Sequence, residues 1–138
     1  DICNVCAAML ADIGVKATVN VVEQGVFSKM TAAKDMGPMH MVGWYSLGDA
    51  DFATVWFTNG SGRTVWVNPE FEKLFVEART TVDQAARLKA YHRMMEIMHD
   101  EAPSIYLFGL PSVYGRSKKL KGWSAPSDKI LRMAKATI

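Results

Sequence analysis

The segment 43–52 carries the side chains of this chain that are best suited to binding a ligand. It places aromatic rings, a hydroxyl and two carboxylates directly after a short apolar run that is predicted to be a buried strand. Aromatic rings offer flat apolar faces with polar edges, and a carboxylate can pair with an ammonium group. In open α/β sheets, ligands bind in the crevice beyond the carboxyl ends of the strands. The predicted ligand-binding residues are Trp44, Tyr45, Ser46, Asp49 and Asp51.

The same residues also allow a purely structural interpretation, in which they cap a helix and pack in the core. Asp49 has a side chain that favours the N-cap position, and it precedes a helix predicted to begin near Asp51. Trp44 is large and apolar enough to belong to the core. The variant Asp49→Asn would distinguish ligand pairing by Asp49 from helix capping, because asparagine still caps a helix but carries no charge.

Cys3 and Cys6 form a C-x-x-C pair, a spacing that raises the question of redox or zinc chemistry. A redox pair should follow a strand and open a helix, and a zinc site needs two further ligands. Only Asp1 and Ile2 precede the pair in this sequence. The two thiols are therefore predicted to be small helix residues on one face, with no metal and no catalytic disulfide.

The chain shows none of the local motifs that mark a catalytic or metal centre. His92 and His99 share a helix face, but no H-E-x-x-H sequence accompanies them, and His40 lies in a predicted strand. No G-x-S-x-G elbow and no phosphate-binding loop occurs. The sequence does not decide whether a Ser-His-Asp triad exists, since the members of such a triad are distant from one another along a chain. No catalytic residue, no metal site and no cofactor is predicted.

Length and charge restrict the class of protein. The 138 residues suit one domain, 1–138, and a net charge of +2 without a basic block among aromatics argues against nucleic-acid binding. No apolar stretch reaches the ~20 residues that span a bilayer, and no signal peptide is visible. Because the first residue is Asp1 and a helical pattern begins at once, we expect an N-terminal part and its export signal to be missing.

The spacing of apolar residues predicts alternating helices and strands. Three- and four-residue steps predict helices over 1–13, 23–36, 69–79 and 83–101. Alternation predicts a strand over 15–22, and a short apolar run predicts another over 39–44. Helix-strand-helix-strand order favours an α/β fold with a parallel sheet.

Four stretches of the sequence, in this order and spacing, resemble the C-terminal part of the family 5 extracellular solute-binding proteins. This family contains the peptide- and oligopeptide-binding proteins that serve ABC importers. The Gly-Asp-Ala-Asp form of the loop is more similar to dipeptide- and glutathione-type members. The four stretches are residues 9–16, Gly43-Trp44 with the loop 49–51, residues 67–74, and residues 83–123.

The resemblance implies an α/β fold that is one lobe, here incomplete, of a type II periplasmic binding protein-like fold. It implies a periplasmic, non-enzymatic protein that binds a peptide or peptide-like solute and delivers it to the membrane permease subunits of an ABC importer. The N-terminal lobe of the same protein would form the other side of the cleft. Family members often hold the ligand's amino terminus with a carboxylate after Gly-Trp. Here the nearest carboxylate is Asp49, and Asp49-Ala50 replaces the family's Asp-Pro.

Two other classes remain as alternatives at this point. A hydrolase domain with an unrecognised site would show activity towards peptides or esters. A stand-alone interaction domain would expose a large apolar patch, which a lobe without its partner would also show.

Overall fold

Helices make up the regular structure of this protein. A computed structural model describes residues 1–44 and 48–138, and helices of at least five residues occur at five places in these ranges. Two short 3₁₀ turns, Val55–Phe57 and Asn59–Ser61, separate the third helix from the fourth. The α-helices are α1 (Ile2–Asp12), α2 (Gln24–Ala32), α3 (Ala50–Thr54), α4 (Pro69–Thr80) and α5 (Gln84–Glu101).

The predicted helices over 1–13, 69–79 and 83–101 are confirmed by α1, α4 and α5, and α2 lies within the predicted range 23–36. Side chains cap three of these helices at their starts, with Glu23 at α2, Asn68 at α4 and Asp83 at α5. The Asn68 side chain accepts a hydrogen bond from the Phe71 N–H at 2.9 Å, and the Asp83 carboxylate accepts one from the Ala85 N–H at 3.0 Å. These caps satisfy N–H groups that have no partner within the helix.

The core lies between α4 and α5, which pack against each other. Phe71 of α4 and Met94 of α5 are completely buried there. Together these helices carry all the buried apolar residues of the described parts of the chain. The remaining members are Phe75, Ala78, Ala90, Tyr91, Ile97 and Met98.

Glu101, the last residue of α5, ties the end of that helix to the segment before α4. Its two carboxylate oxygens accept hydrogen bonds from the Trp66 indole N–H at 2.7 Å and from the Asn68 side-chain amide at 2.6 Å. Trp66 also packs edge-on against Phe71, with ring centroids 5.1 Å apart. The register of α4 against α5 is thus fixed at this end by polar contacts as well as by packing.

The two predicted strands do not form, and the α/β class is not confirmed. No strand occurs over 15–22 or 39–44, and in the described residues β-type pairing is limited to an isolated antiparallel bridge between Lys121 and Thr137. A strand needs a neighbouring strand to satisfy its N–H and C=O groups. The alternating segment has no such neighbour here, and Val21 within it is 89% exposed. The single-domain assignment of 1–138 stays a prediction.

Apolar side chains are also exposed after α5. The segment 105–113 forms no regular element. Ile105, Phe108 and Leu110 are all more than half exposed. Within the described residues, no helix combines the length and the apolar character required to cross a membrane.

The adjacent methionines of α5 test whether the α4–α5 contact is the stabilising core. Met94 is completely buried and Met95 is 45% exposed. We expect Met94→Ala to lower the free energy of unfolding by about 2–5 kcal/mol, because it leaves a cavity. Met95→Ala, the matched control, should cost less than about 1 kcal/mol. Urea unfolding followed by circular dichroism measures both, and equal losses would contradict this location of the core.

Candidate functional site

Asp49 caps the short helix α3. Its Oδ1 atom accepts a hydrogen bond from the Asp51 N–H at 2.8 Å, and its own backbone is extended, as an N-cap requires. The structural role considered for Asp49 from the sequence is therefore confirmed. This cap fixes the point at which the chain leaves segment 43–49 and enters α3.

Arg87 of α5 binds the same carboxylate and connects it to the helix pair. Its Nη2 lies 2.8 Å from Asp49 Oδ1 and also donates to the Tyr91 hydroxyl at 3.2 Å. Its Nε donates to the backbone oxygen of Ala78 in α4 at 3.0 Å. One guanidinium thus contacts α4, α5 and the start of α3.

Arg79 of α4 provides a second contact to α3. Its Nε lies 2.9 Å from Asp51 Oδ1, without the alignment of a hydrogen bond, so the attraction is between charges. Arg79 lies over the ring of Phe75, and Arg87 lies over the ring of Tyr91, each 5.1 Å from the ring centroid. We call the pairs Asp49–Arg87 and Asp51–Arg79 the arginine clasp.

The clasp keeps Asp49 ionised. The hydrogen bond from Arg87 contributes most, and the one from the Asp51 N–H adds to it, so the pKa of the Asp49 carboxyl lies below its ordinary value of 3.8. The same hydrogen bond raises the pKa of Arg87. The side chain of Asp49 is 51% exposed, so water screens part of this attraction.

Trp44, Phe52 and Trp56 form an aromatic cluster at α3. Trp44 stacks on Phe52 with ring centroids 5.3 Å apart, and it meets Trp56 with centroids 3.8 Å apart. The Arg63 guanidinium carbon lies 3.7 Å from the Trp56 ring centroid. Trp44 remains 39% exposed, so it packs within the cluster and still presents surface to solvent.

The structure brings three of the predicted site residues together around α3, namely Trp44, Asp49 and Asp51. Tyr45 and Ser46 lie outside the described residues. Two shallow depressions on the described surface lie elsewhere, one where α4 meets α5 and one on the exposed face of α5.

Sequence reasoning missed four side chains of this site: Arg63, Trp56, Arg79 and Arg87. The sequence did allow the contact between Arg87 and Tyr91 to be predicted, because residues four apart lie on one face of α5. The partner of Arg87 is 38 residues away along the chain, and no local pattern reveals such a contact.

The two thiols belong to α1. Cys3 and Cys6 are unpaired and partly buried, and Cys3 Sγ lies 3.3 Å from Met41 Sδ. Among the described residues, no three His, Cys, Asp or Glu side chains gather closely enough to hold a metal ion. The structural role of both cysteines stays a prediction.

Known peptide-binding proteins share sequence similarity with this chain. It is 30% identical to the dipeptide-binding protein of Escherichia coli (strain K12) over 120 residues, which is 82% of this chain and 22% of that protein. It is 29% identical to di/tripeptide-binding protein 4 of Pseudomonas aeruginosa (strain UCBPP-PA14) over 107 residues, 72% of this chain and 20% of that protein. The predicted resemblance to family 5 solute-binding proteins is confirmed.

A third relative is the dipeptide-binding protein DppE of Bacillus subtilis (strain 168), 30% identical over 64 residues, 46% of this chain and 12% of that protein. The chain thus spans about a fifth of the length of the first two relatives and less of the third. No family model matches the chain. No solved structure matches it either.

Variants of Asp49 test the cap and the clasp by their effect on stability. We expect Asp49→Ala to lower the free energy of unfolding by about 1 kcal/mol, and Asp49→Asn to cost less because asparagine still caps. The folded-state pKa of Asp49 is lowered, so its charge stabilises the fold above pH 3.8 and stops doing so as the pH falls through that lowered pKa. Urea unfolding between about pH 7 and about pH 3 should show that the free energies of unfolding of wild type and Asp49→Asn approach each other as the pH falls. A pH-independent gap would show that the charge of Asp49 does not contribute.

Proposed function

We propose that this chain is part of the substrate-binding component of an ABC importer, which binds peptides or peptide-like solutes and delivers them to the permease. The observation that carries this proposal is the similarity to three proteins named for binding dipeptides or tripeptides. Those relatives are named as binding proteins rather than enzymes, and the proposed function of this chain requires no covalent chemistry. The compartment we propose is the periplasm.

The ligand-binding wall would consist of Trp44, Tyr45 and Ser46, with Asp49 and Asp51 at its base. The exposed part of Trp44 offers an apolar face to a peptide side chain or backbone, and the two residues after it add hydroxyl groups. A wall of this kind binds well only if it is held in place before the ligand arrives.

The arginine clasp supports this role by fixing the end of the wall. Asp49 Oδ1 accepts the Asp51 N–H and also binds Arg87, so the Asp49 carboxylate is already engaged in the fold. We therefore propose that Asp49 acts mainly by positioning the segment before α3. Direct pairing with a ligand's amino group, the other role considered for this residue, would compete with Arg87.

The opposite side of the cleft would come from the N-terminal lobe of the same protein. Ligand contacts that form in the closed state and are absent in the open state would drive closure. The exposed apolar side chains of segment 105–113 support a contact with a part of the protein beyond this chain. A stand-alone interaction domain would use the same exposed surface, and peptide binding by the longer protein distinguishes the two.

Removal of the Trp44 ring tests the proposed wall. We expect the longer protein that contains this chain to bind dialanine in calorimetry, and Trp44→Ala to weaken binding by about 10-fold or more through loss of apolar contact. Trp44→Phe should retain part of the affinity. Trp123→Ala is the matched control, because Trp123 packs on Tyr114 in the C-terminal segment and should leave affinity unchanged. Equal affinity of wild type and Trp44→Ala would remove Trp44 from the site.

Asp49→Asn separates positioning from pairing with the ligand. If Asp49 acts through the cap, the asparagine variant should bind dialanine within about threefold of wild type, because asparagine still accepts the Asp51 N–H. If Asp49 instead pairs with the ligand's ammonium group in a dry cleft, the variant should lose about 2–5 kcal/mol of binding free energy. Calorimetry with dialanine measures the difference, and a loss in the second range would contradict the positioning role.

A further inference from the structure

Two thiols of α1 and one thioether form a group that the proposed function does not use. The Cys3 thiol donates to Met41 Sδ at 3.3 Å, although the two residues are 38 apart along the chain. Cys6 follows Cys3 by about one helical turn, on the same face of α1. Both cysteines are unpaired and partly buried, whereas Asn4 and Val5 between them are exposed. The two thiols thus lie on the face of α1 that contacts Met41.

Packing alone gives little reason for the two sulfur atoms to meet. The helix α1 has no buried residue, and Met41 is 37% exposed, so this contact encloses little apolar area. A thiol is a weak donor and a thioether a weak acceptor, so the hydrogen bond between them adds little stability. Because all three side chains are partly exposed, an ion can reach the sulfur atoms from solvent.

Sulfur donors of these two kinds select soft metal ions. Cysteine thiolate and methionine thioether together favour Cu(I), whereas zinc sites are built from cysteine, histidine and carboxylate ligands. The prediction of no metal at the thiols was based on the lack of the two further ligands that zinc needs. Met41 is a ligand of a different kind, and sequence spacing does not reveal it, because α2 separates it from Cys3 along the chain.

We propose that Cys3, Cys6 and Met41 bind one soft monovalent cation, with Cu(I) as the ion that the donor set fits best. The thiols bind as thiolates, so each releases its proton to water, and no electron is transferred. None of the three residues belongs to the proposed wall, so this proposal goes beyond peptide binding and does not depend on it. Since Met41 lies shortly before Trp44 in the sequence, a bound ion would also tie α1 to the segment that leads into the wall.

Competition for Cu(I) tests this site. The longer protein that contains this chain would be titrated without oxygen, with its thiols reduced, against the Cu(I) chelator bathocuproine disulfonate, whose colour reports the copper it holds. We expect the double variant Cys3→Ser, Cys6→Ser to lose one tightly bound equivalent of Cu(I) relative to wild type. Met41→Leu, which nearly keeps the apolar volume, should weaken that equivalent by about 10-fold or more, because even indirect partners of a metal ligand contribute about 10- to 100-fold.

Met36→Leu is the matched control. The Met36 Sδ atom lies 3.5 Å from the Thr31 hydroxyl oxygen rather than beside a thiol, so this variant should bind Cu(I) as wild type does. X-ray absorption at the copper edge should show sulfur atoms alone around the ion in wild type. Circular dichroism should show unchanged unfolding of the metal-free variants, since no substituted side chain is fully buried.

Three results would overturn the proposal. In the first, the double serine variant binds as much Cu(I) as wild type with the same affinity. In the second, the serine variant loses the equivalent but Met41→Leu binds like wild type, which would remove Met41 from the site. In the third, protein isolated without added reductant contains a disulfide between Cys3 and Cys6, which would leave no thiolate for the ion. Each of these results leaves the proposed peptide-binding function unaffected.

Discussion

The packing of α4 against α5 is the constraint on which the rest of the described structure depends. All the buried apolar residues of the described ranges lie on these two helices, and Phe71 and Met94 are completely enclosed. Burying a side chain of this size stabilises a fold by about 1.5–3 kcal/mol relative to leaving it exposed. No comparable burial occurs in α1, which has no buried residue. Contacts with the α4–α5 pair therefore connect the candidate site to the buried core.

The arginine clasp makes that connection. An exposed ion pair alone contributes at most about 1 kcal/mol, and both pairs of the clasp are partly exposed. Arg87 does more than form an ion pair. Its Nε also donates a hydrogen bond to the Ala78 carbonyl, and the contact of its guanidinium with the Tyr91 ring limits its movement. The value of the clasp lies in geometry, since it gives the start of α3 a fixed place against a rigid core.

The parts of this structure that the sequence predicted are those that depend on local signals. Asn68-Pro69 and Asp83 mark the starts of α4 and α5, and the apolar spacing between them defines the buried faces. The predicted strand over 15–22 had equally clear alternation, but a strand depends on a partner strand, and alternation does not supply one. The same distinction applies to the site. The cap by Asp49 is a contact over two residues, whereas its ion pair with Arg87 joins residues 38 apart.

The arginines of α4 and α5 near α3 are already engaged in ion pairs within the fold. Arg79 and Arg87 already neutralise the carboxylates of α3, so a ligand anion would have to compete with Asp51 or Asp49 for them. Binding there would leave a carboxylate unpaired, at a cost that grows as the cleft closes and water leaves. Arg63 lies instead over the Trp56 ring, 3.7 Å from its centroid. Under the proposed function, the ion pairs of Arg79 and Arg87 with α3 fix the wall, and a ligand anion could use these arginines only at that cost.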